Sequence, residues 1–308
     1  MAANMTITEF ANELITTLKT TFPEIFERAT LAVQTVPKPG NVLLTGITVH
    51  FQGSNVAPCY YIDEPYNKCL KGMPVTAVAS DLAEYIRKTN NLPAQIDVSS
   101  IQDFEAARAQ IFPRLIDARH GKNCDYLANK VSRNIPGTGI NVIYDVELSR
   151  DKHGETIMST AVTNQLAELW NIPLEELHET AIQNAVRQRP LYFTDMNGIL
   201  NSLAPDEFPE IEAESLLYVL TNNSKQYGAA AILYPETAKM LHDRFRNGFY
   251  VLPSSVHELI IVPKALSDDP DMLKAMVTSI NAEQVLPAEQ LSDSVYTLDA
   301  DGNLAEVR

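Results

Sequence analysis

The segment from Ser254 to Glu258 carries the side chains of this sequence that are best suited to chemistry. Two hydroxyls, Ser254 and Ser255, precede the imidazole of His257 and the carboxylate of Glu258. Nucleophilic catalysis by serine needs the hydroxyl within hydrogen-bond reach of an imidazole, which a third group orients. One hypothesis is therefore a small-molecule hydrolase or transferase with Ser255, His257 and Glu258 as its catalytic groups.

A structural role for the same segment is the competing hypothesis. On a strand, Ser255 and His257 share one face with Cβ atoms about 6.5–7 Å apart, whereas catalytic pairs usually come from separate elements. The sequence has no G-x-S-x-G elbow. Pro253 followed by two serines is typical of a tight turn whose hydroxyls bond the local backbone. This interpretation places His257 half-buried at a sheet edge.

Asn222 and Asn223 are the weaker candidates for a binding site. They follow an apolar run and precede Ser224, in a pattern that suits a turn with left-handed backbone geometry. Their amides and the Ser254 hydroxyl are the groups that would bind a ligand here. The structural alternative is that the amides bond only their own turn.

The motifs expected of metal and cofactor sites are incomplete. His178 and His257 are each followed by glutamate, but isoleucine stands at 182 and 261, where a zinc protease helix needs a second histidine. No phosphate-binding G-x-x-x-x-G-K-[ST] occurs. Asp299–Gly302 begins like a calcium loop, but its glycine comes too early, so it predicts a hairpin turn. We therefore expect no cofactor and no metal.

Three tyrosines, Tyr60, Tyr61 and Tyr66, form an aromatic cluster beside a predicted strand. Core packing with a solvated hydroxyl is the usual reason for such a cluster. An exposed version would be a surface for a protein partner.

The charge of this chain is acidic and uneven. The formal net charge is −15 over 308 residues. Residues 1–150 hold 15 acidic and 14 basic side chains, and residues 151–308 hold 24 and 10. Because acidic surfaces repel phosphate backbones, nucleic-acid binding is disfavoured. The alternatives are solubility, docking on a basic partner, and mimicry of nucleic acid by carboxylates of 203–215 and 268–301.

The sequence also predicts a cytoplasmic protein without a membrane segment. No run approaches the roughly 20 apolar residues that a membrane helix needs. The first residues lack the basic and apolar regions of a secretory signal. Cys59, Cys69 and Cys124 are odd in number and form no C-x-x-C pair, which is typical of free thiols in a reducing compartment.

Periodicity predicts the elements that must position these groups. Apolar residues three and four apart indicate helices at about 7–18, 63–70, 75–88, 101–115, 163–170, 174–187 and 270–281. Alternation predicts strands at 29–36, 41–52, 57–62, 140–148 and 156–162. Leu216–Val262 reads as a β-β-α-β-β unit, and a hairpin around Asp301–Gly302 follows. Strands in hairpins with helices between them favour an α+β fold with antiparallel or mixed sheets.

Two polar stretches predict the domain organisation. Residues 203–215 are acidic, contain prolines and lack an apolar stripe, so we place a boundary between 1–205 and 206–308 there. Residues 89–100 predict a further boundary within the first region.

Several segments resemble a family of bacterial proteins known as domain of unknown function 5688. They are NVLLTGITVHFQGSNVAPCYYIDEPYNKCLKG, YVLTNN, YGAAAILYP, YVLPSSVHELIIVP and VTSINAEQVLPAEQLSDSVYTLDADGNL. The resemblance covers roughly 5–18, 30–90 and 165–300. It implies a cytoplasmic bacterial protein, found mainly in gut Firmicutes and often encoded beside mobile-element genes, but no mechanism.

Taken together, the residues favour a non-enzymatic protein that binds another protein, and the resemblance implies a regulatory role linked to mobile elements. The hydrolase or transferase and the acidic mimic of nucleic acid are the alternatives.

Overall fold

The chain forms two compact units of mixed helices and sheets. The computed structural model describes residues 5–54, 57–89, 100–121, 123–150, 156–195, 217–253, 255–265 and 269–307. The first unit comprises residues 1–38 and 42–101, and the second comprises 39–41 and 102–308. All pairings between the described strands are antiparallel. The predicted α+β class is therefore confirmed.

The first unit packs helices on a three-stranded sheet of order β1-β2-β3. Its strands are β1 (Ala29–Lys38), β2 (Val42–Phe51) and β3 (Cys59–Tyr61). Its helices are α1 (Ile7–Thr21), α2 (Pro23–Phe26), α3 (Asp63–Leu70) and α4 (Val75–Thr89). Apart from α2, which the periodicity does not predict, these elements lie where helices and strands are expected.

Helix α1 begins at a capping box and buries one stripe of its surface. Glu9 N donates to Thr6 Oγ1 at 3.3 Å, and Thr6 N donates to Glu9 Oε2 at 2.8 Å. These bonds satisfy two backbone donors that a helix start leaves open. Its apolar stripe then joins β2 and α4 in one core, whose fully buried members include Phe10, Leu14, Leu18, Ile47, Val49, Ala79 and Ile86.

The second unit contains a four-stranded sheet with β6 at its centre. Its strands are β4 (Ile111–Asp117), β5 (Ser132–Asn134), β6 (Ile140–Arg150) and β7 (Thr156–Ala161). Strand β4 pairs along one edge of β6, and β5 and β7 pair in succession along the other. The helices of this region are α5 (Phe104–Ala107), α6 (Asn123–Leu127), α7 (Asn164–Trp170) and α8 (Leu174–Gln188).

A six-stranded sheet forms the rest of the second unit, in the order β13-β12-β10-β11-β9-β8. Its strands are β8 (Leu191–Asp195), β9 (Tyr218–Asn222), β10 (Phe249–Leu252), β11 (Leu259–Pro263), β12 (Tyr296–Leu298) and β13 (Leu304–Glu306). Helices α9 (Thr237–Arg244) and α10 (Pro270–Gln284) accompany it. Short 3-10 helices lie at Pro39–Asn41, Ser100–Gln102, Arg108–Gln110 and Gly228–Leu233.

The predicted helix at 101–115 is wrong over its second half. Only Phe104–Ala107 is α-helical, and Ile111–Asp117 is a strand. Six of its seven residues are buried, so both faces of the strand are covered. A strand covered on both faces has a continuous apolar run, and such a run matches a helical spacing as readily as an alternating one.

The second strand predicted within Leu216–Val262 is also wrong. Gly228–Leu233 is a 3-10 helix, whereas the other three strands and the helix of that unit are present. Tyr227 has a left-handed backbone (φ 49°), which turns the chain sharply after β9. Three successive alanines have little preference for a strand, so nothing in this stretch opposes the turn.

The division into units lies beside the 89–100 stretch, which we predicted as a further boundary. The 203–215 segment lies outside the described residues, and the boundary between 1–205 and 206–308 stays a prediction. Strand β8, before that segment, pairs with β9, after it.

Candidate functional site

Ser255, His257 and Glu258 lie in the connection between β10 and β11. Ser254 lies outside the described residues. Ser255 forms an isolated antiparallel bridge with Gln290 and is 5% exposed. The connection is therefore anchored to the chain that follows α10, and the serine is not at an open surface.

The Ser255 hydroxyl closes its own turn. Its Oγ accepts hydrogen bonds from His257 N at 3.0 Å and Glu258 N at 3.2 Å. It donates its proton to Glu258 Oε1 at 3.2 Å. The structure thus brings Ser255 and Glu258 together, but in the described part of the chain no hydrogen bond joins the serine to the His257 ring. A serine whose proton points at a carboxylate in this way lacks the imidazole partner of a nucleophile.

The His257 ring is held by a different element. Its Nδ1 accepts a hydrogen bond from Tyr227 N at 3.2 Å, and the two rings stack with centroids 5.5 Å apart. Because Nδ1 is an acceptor, the neutral ring carries its proton on Nε2. That atom is 3.7 Å from Glu289 Oε1, which is beyond hydrogen-bond range. The imidazole is thus oriented by the Tyr227 backbone and ring and not by the serine hydroxyl.

Gly228 allows the chain to approach the His257 backbone closely. Thr221 Oγ1 donates to His257 O at 2.7 Å. A Cβ added to Gly228 would lie 1.9 Å from that Thr221 oxygen and 2.5 Å from His257 O. Only a residue without a side chain fits between them, so glycine has a packing role here.

Asn222 and Asn223 form the turn after β9. Asn222 is 2% exposed, and its Oδ1 accepts from Ser224 N and Ser224 Oγ at 3.0 and 2.8 Å. Its Nδ2 donates to Gln226 O at 3.0 Å. Asn223 donates its backbone N–H to Pro190 O. The Asn222 amide is thus occupied at both ends by the turn that it stabilises.

A cluster of buried charges on β4 and β6 contacts Tyr227, the residue that stacks on His257. Arg114 is 3.1 Å from Asp145 and stacks over the Tyr227 ring at 4.9 Å. Burial opposes the charge of Arg114, but the Asp145 carboxylate together with Tyr126 and Tyr227 raises the pKa of the guanidinium. The charge therefore persists inside the protein, where it helps to fix the ring that stacks on His257.

Glu147 holds two further arginines on the same face of β6. It pairs with Arg189, and both side chains are 6% exposed. It also accepts from Arg150 Nε at 2.7 Å. Burial lowers the pKa of Arg189, with Tyr234 and Asp145 acting in the opposite direction. This cluster was not predicted from the sequence, although the alternation of Asp145 and Glu147 on an apolar strand was an available signal.

The predicted tyrosine cluster lies on the first unit and is partly exposed. Tyr61 is 40% exposed, and Tyr85 of α4, which meets Tyr60 edge to face at 6.0 Å, is 50% exposed. Tyr66 is tied down, since its hydroxyl donates to Met5 O at 2.6 Å. Beside Tyr61 opens a cleft of about 160 Å³, lined by Leu14, Tyr61, Ile62, Pro65, Lys68, Met73, Val78, Asp81 and Leu82. We call Tyr61, Tyr85 and this cleft the aromatic cleft.

The described residues hold neither a metal-binding cluster nor a membrane-spanning helix. They contain no group of three or more His, Cys, Asp and Glu side chains placed to hold a metal ion. No helix among them is both long and apolar enough to cross a membrane.

The protein is thus of the α+β class, and the polar side chains of Ser255 and Asn222 form their hydrogen bonds within their own turns. Residues 7–300 match the family described as a family of unknown function, DUF5688. Because the match spans nearly the whole chain, this protein belongs to that family, and the resemblance seen in the sequence is confirmed. No curated protein and no solved structure matches the chain.

Proposed function

We propose that this protein is a non-enzymatic factor that binds a protein partner through the aromatic cleft. The carrying observation is the exposure of Tyr61, which lines an apolar opening, and of Tyr85 on α4. Tyrosine is enriched among the residues that dominate binding energy, because its ring is large and rigid and its hydroxyl tolerates water.

The size and rim of the cleft suggest what it would take from the partner. A volume of about 160 Å³ with an apolar lining suits a single large aliphatic or aromatic side chain. Lys68 and Asp81 give its rim both signs of charge, which is the usual polar border of a protein interface. The proposed occupant is therefore an apolar anchor residue on a partner surface of mixed charge.

Localisation and biological context belong to the same proposal. The free state of Cys59, Cys69 and Cys124 supports a reducing, cytoplasmic compartment. A regulatory role linked to mobile elements in bacteria rests on the resemblance of the sequence alone.

Affinity capture from the native host, with surface variants as baits, tests this function. Tyr61→Ala and Tyr85→Ala should lose a partner that the wild type retains, since truncating a central tyrosine costs about 2 kcal/mol or more of binding energy. Tyr192→Ala is the matched control, because Tyr192 is 43% exposed on the second unit. A partner that all four baits retain equally, or no reproducible partner, would contradict the proposal.

The alternatives have less support. A hydrolase or transferase built on Ser255, His257 and Glu258 needs a hydroxyl–imidazole contact, and the Ser255 proton is bonded to Glu258. Mimicry of nucleic acid depends on carboxylates of 203–215, which lie outside the described residues, and therefore rests on charge alone.

A further inference from the structure

A second cavity lies entirely within the second unit. Its volume is about 300 Å³, and it is lined by Arg133, Asn134, Ile135, Pro136, Val142, His178, Leu233, Gly302, Asn303 and Leu304. This volume is at the lower end of the range of small-molecule sites, about 300–1,000 Å³. The lining is mostly apolar, with a few polar groups from β5, α8 and the β12–β13 turn.

His178 lines this cavity and is hydrogen-bonded to a buried tyrosine. Its Nδ1 is 3.1 Å from the hydroxyl of Tyr144, which is fully buried on β6. Burial raises the pKa of Tyr144, so the phenol keeps its proton and can donate it to Nδ1. In the tautomer in which Tyr144 donates to Nδ1, the ring proton sits on Nε2 and makes that atom the donor. Burial also lowers the pKa of His178, with the positive charge of Arg133 acting in the same direction.

Arg133 supplies a positive charge without a partner. Other arginines of the second unit, such as Arg119, Arg150 and Arg189, pair with carboxylates. Arg133 lines the cavity and forms no ion pair in the described part of the chain. An exposed guanidinium beside an apolar cavity is a ready partner for a carboxylate, which it can bind with two parallel hydrogen bonds.

The two asparagine side chains that line the cavity already form hydrogen bonds with other residues of the protein. Asn134 Nδ2 donates to Asn141 Oδ1 at 2.9 Å. Asn303 Nδ2 donates to Asp299 Oδ2 at 2.9 Å and so closes the β12–β13 turn. The remaining donors are thus the Arg133 guanidinium and His178 Nε2. One cation and one neutral donor suit a single negative charge better than a phosphate.

We propose that this cavity binds a small carboxylic acid. The carboxylate pairs with Arg133 and accepts from His178 Nε2, and its hydrocarbon body packs against Val142, Leu233 and Leu304. This site lies on the second unit, whereas the aromatic cleft lies on the first, so the two proposals are tested independently of each other.

Fluorine NMR with 4-fluorobenzoate as the probe tests the site on the full chain. The probe signal should broaden saturably with the wild type, whereas uncharged 4-fluorobenzamide should bind at least about tenfold more weakly. Arg133→Gln should also reduce the affinity for 4-fluorobenzoate at least about tenfold, since it removes the charged partner of the carboxylate. Arg187→Gln, the same change on α8 outside this cavity, should have no effect.

Three results would each overturn the proposal. The first is the absence of saturable binding to the folded wild type at millimolar probe. The second is equal affinity of wild type and Arg133→Gln for 4-fluorobenzoate, and the third is equal affinity of the wild type for 4-fluorobenzoate and 4-fluorobenzamide. His178→Leu provides a second test, because it removes the other donor while leaving the cation, and it should weaken benzoate binding as well.

Discussion

The Ser255 hydroxyl takes part in three hydrogen bonds, all within the turn from Ser255 to Glu258. Two of the donors are backbone N–H groups that the turn would otherwise leave without a partner. A buried donor without a partner loses its hydration and gains nothing in return. At the scale of single residues, the groups that look reactive in the sequence are thus engaged in shaping the chain.

Replacing Ser255 by alanine should lower the free energy of unfolding of the second unit by about 1–3 kcal/mol, because two part-buried N–H groups lose their acceptor. Urea titration followed by the fluorescence of Trp170, the single tryptophan, reports on this unit. Thr278→Ala is the control, since Thr278 is exposed and bonds only Lys274 O. Equal stability of wild type and Ser255→Ala would refute the structural role.

His178 gives the second unit a dependence on pH. Its pKa in the folded chain is below the ordinary value of 6.5, because burial disfavours the charged ring. As pH falls below 6.5, the unfolded chain binds the proton before the folded chain does, so the free energy of unfolding decreases. Above pH 6.5, the contribution of neutral His178 to the free energy of unfolding is fully present.

In His178→Gln, the free energy of unfolding should decrease less between pH 7.5 and pH 5.5 than in the wild type. Urea titrations followed by Trp170 fluorescence at the two pH values measure this difference. His50→Gln, on the first unit, should leave the slope of the wild type unchanged. A wild-type-like slope in His178→Gln would contradict the assignment.

At the scale of elements, the pair β4–β6 explains what the sequence could and could not reveal. Helices with one apolar stripe, such as α1 and α8, and hairpins with turn residues between strands were predictable, because each pattern has one structural meaning. Strand β4 was not predictable, because it is covered on both faces and its apolar run also matches a helical spacing. Nor was Gly228–Leu233, whose conformation depends on contacts with Thr221 and His257.

The candidate site was predictable in position but not in its bonding. Periodicity places Ser255 and His257 between two strands. Only the fold shows that Tyr227, from another element, takes the imidazole nitrogen that a serine would need. Contacts between residues about 30 positions apart in the chain leave no local pattern.

The charge cluster on β6 yields a prediction for this element. Glu147→Gln should destabilise the second unit by about 3–5 kcal/mol, because Arg189 would keep a buried charge without its carboxylate. Glu105→Gln breaks an exposed pair with Arg108 and should cost less than about 1 kcal/mol. The same urea titration compares them. A similar, small effect of both changes would show that the buried pair is dispensable.

At the scale of the whole molecule, we propose a separate binding site on each of the two units. The first unit offers exposed aromatic surface beside an apolar opening. The second holds its polar groups in turns and buried ion pairs, and has a separate cavity with an available cation. The acidity of residues 151–308 belongs to the second unit, so it is not the feature that recognises the proposed partner.

The most direct measurement is the position at which a partner is captured. The photocrosslinking residue p-benzoylphenylalanine can replace Tyr85 in one sample and Tyr192 in another, and both can be irradiated in extract of the native host. We predict a discrete crosslinked adduct from position 85 that Tyr61→Ala abolishes, and no such adduct from position 192. Adducts of equal yield from both positions, or none from position 85, would contradict binding through the aromatic cleft.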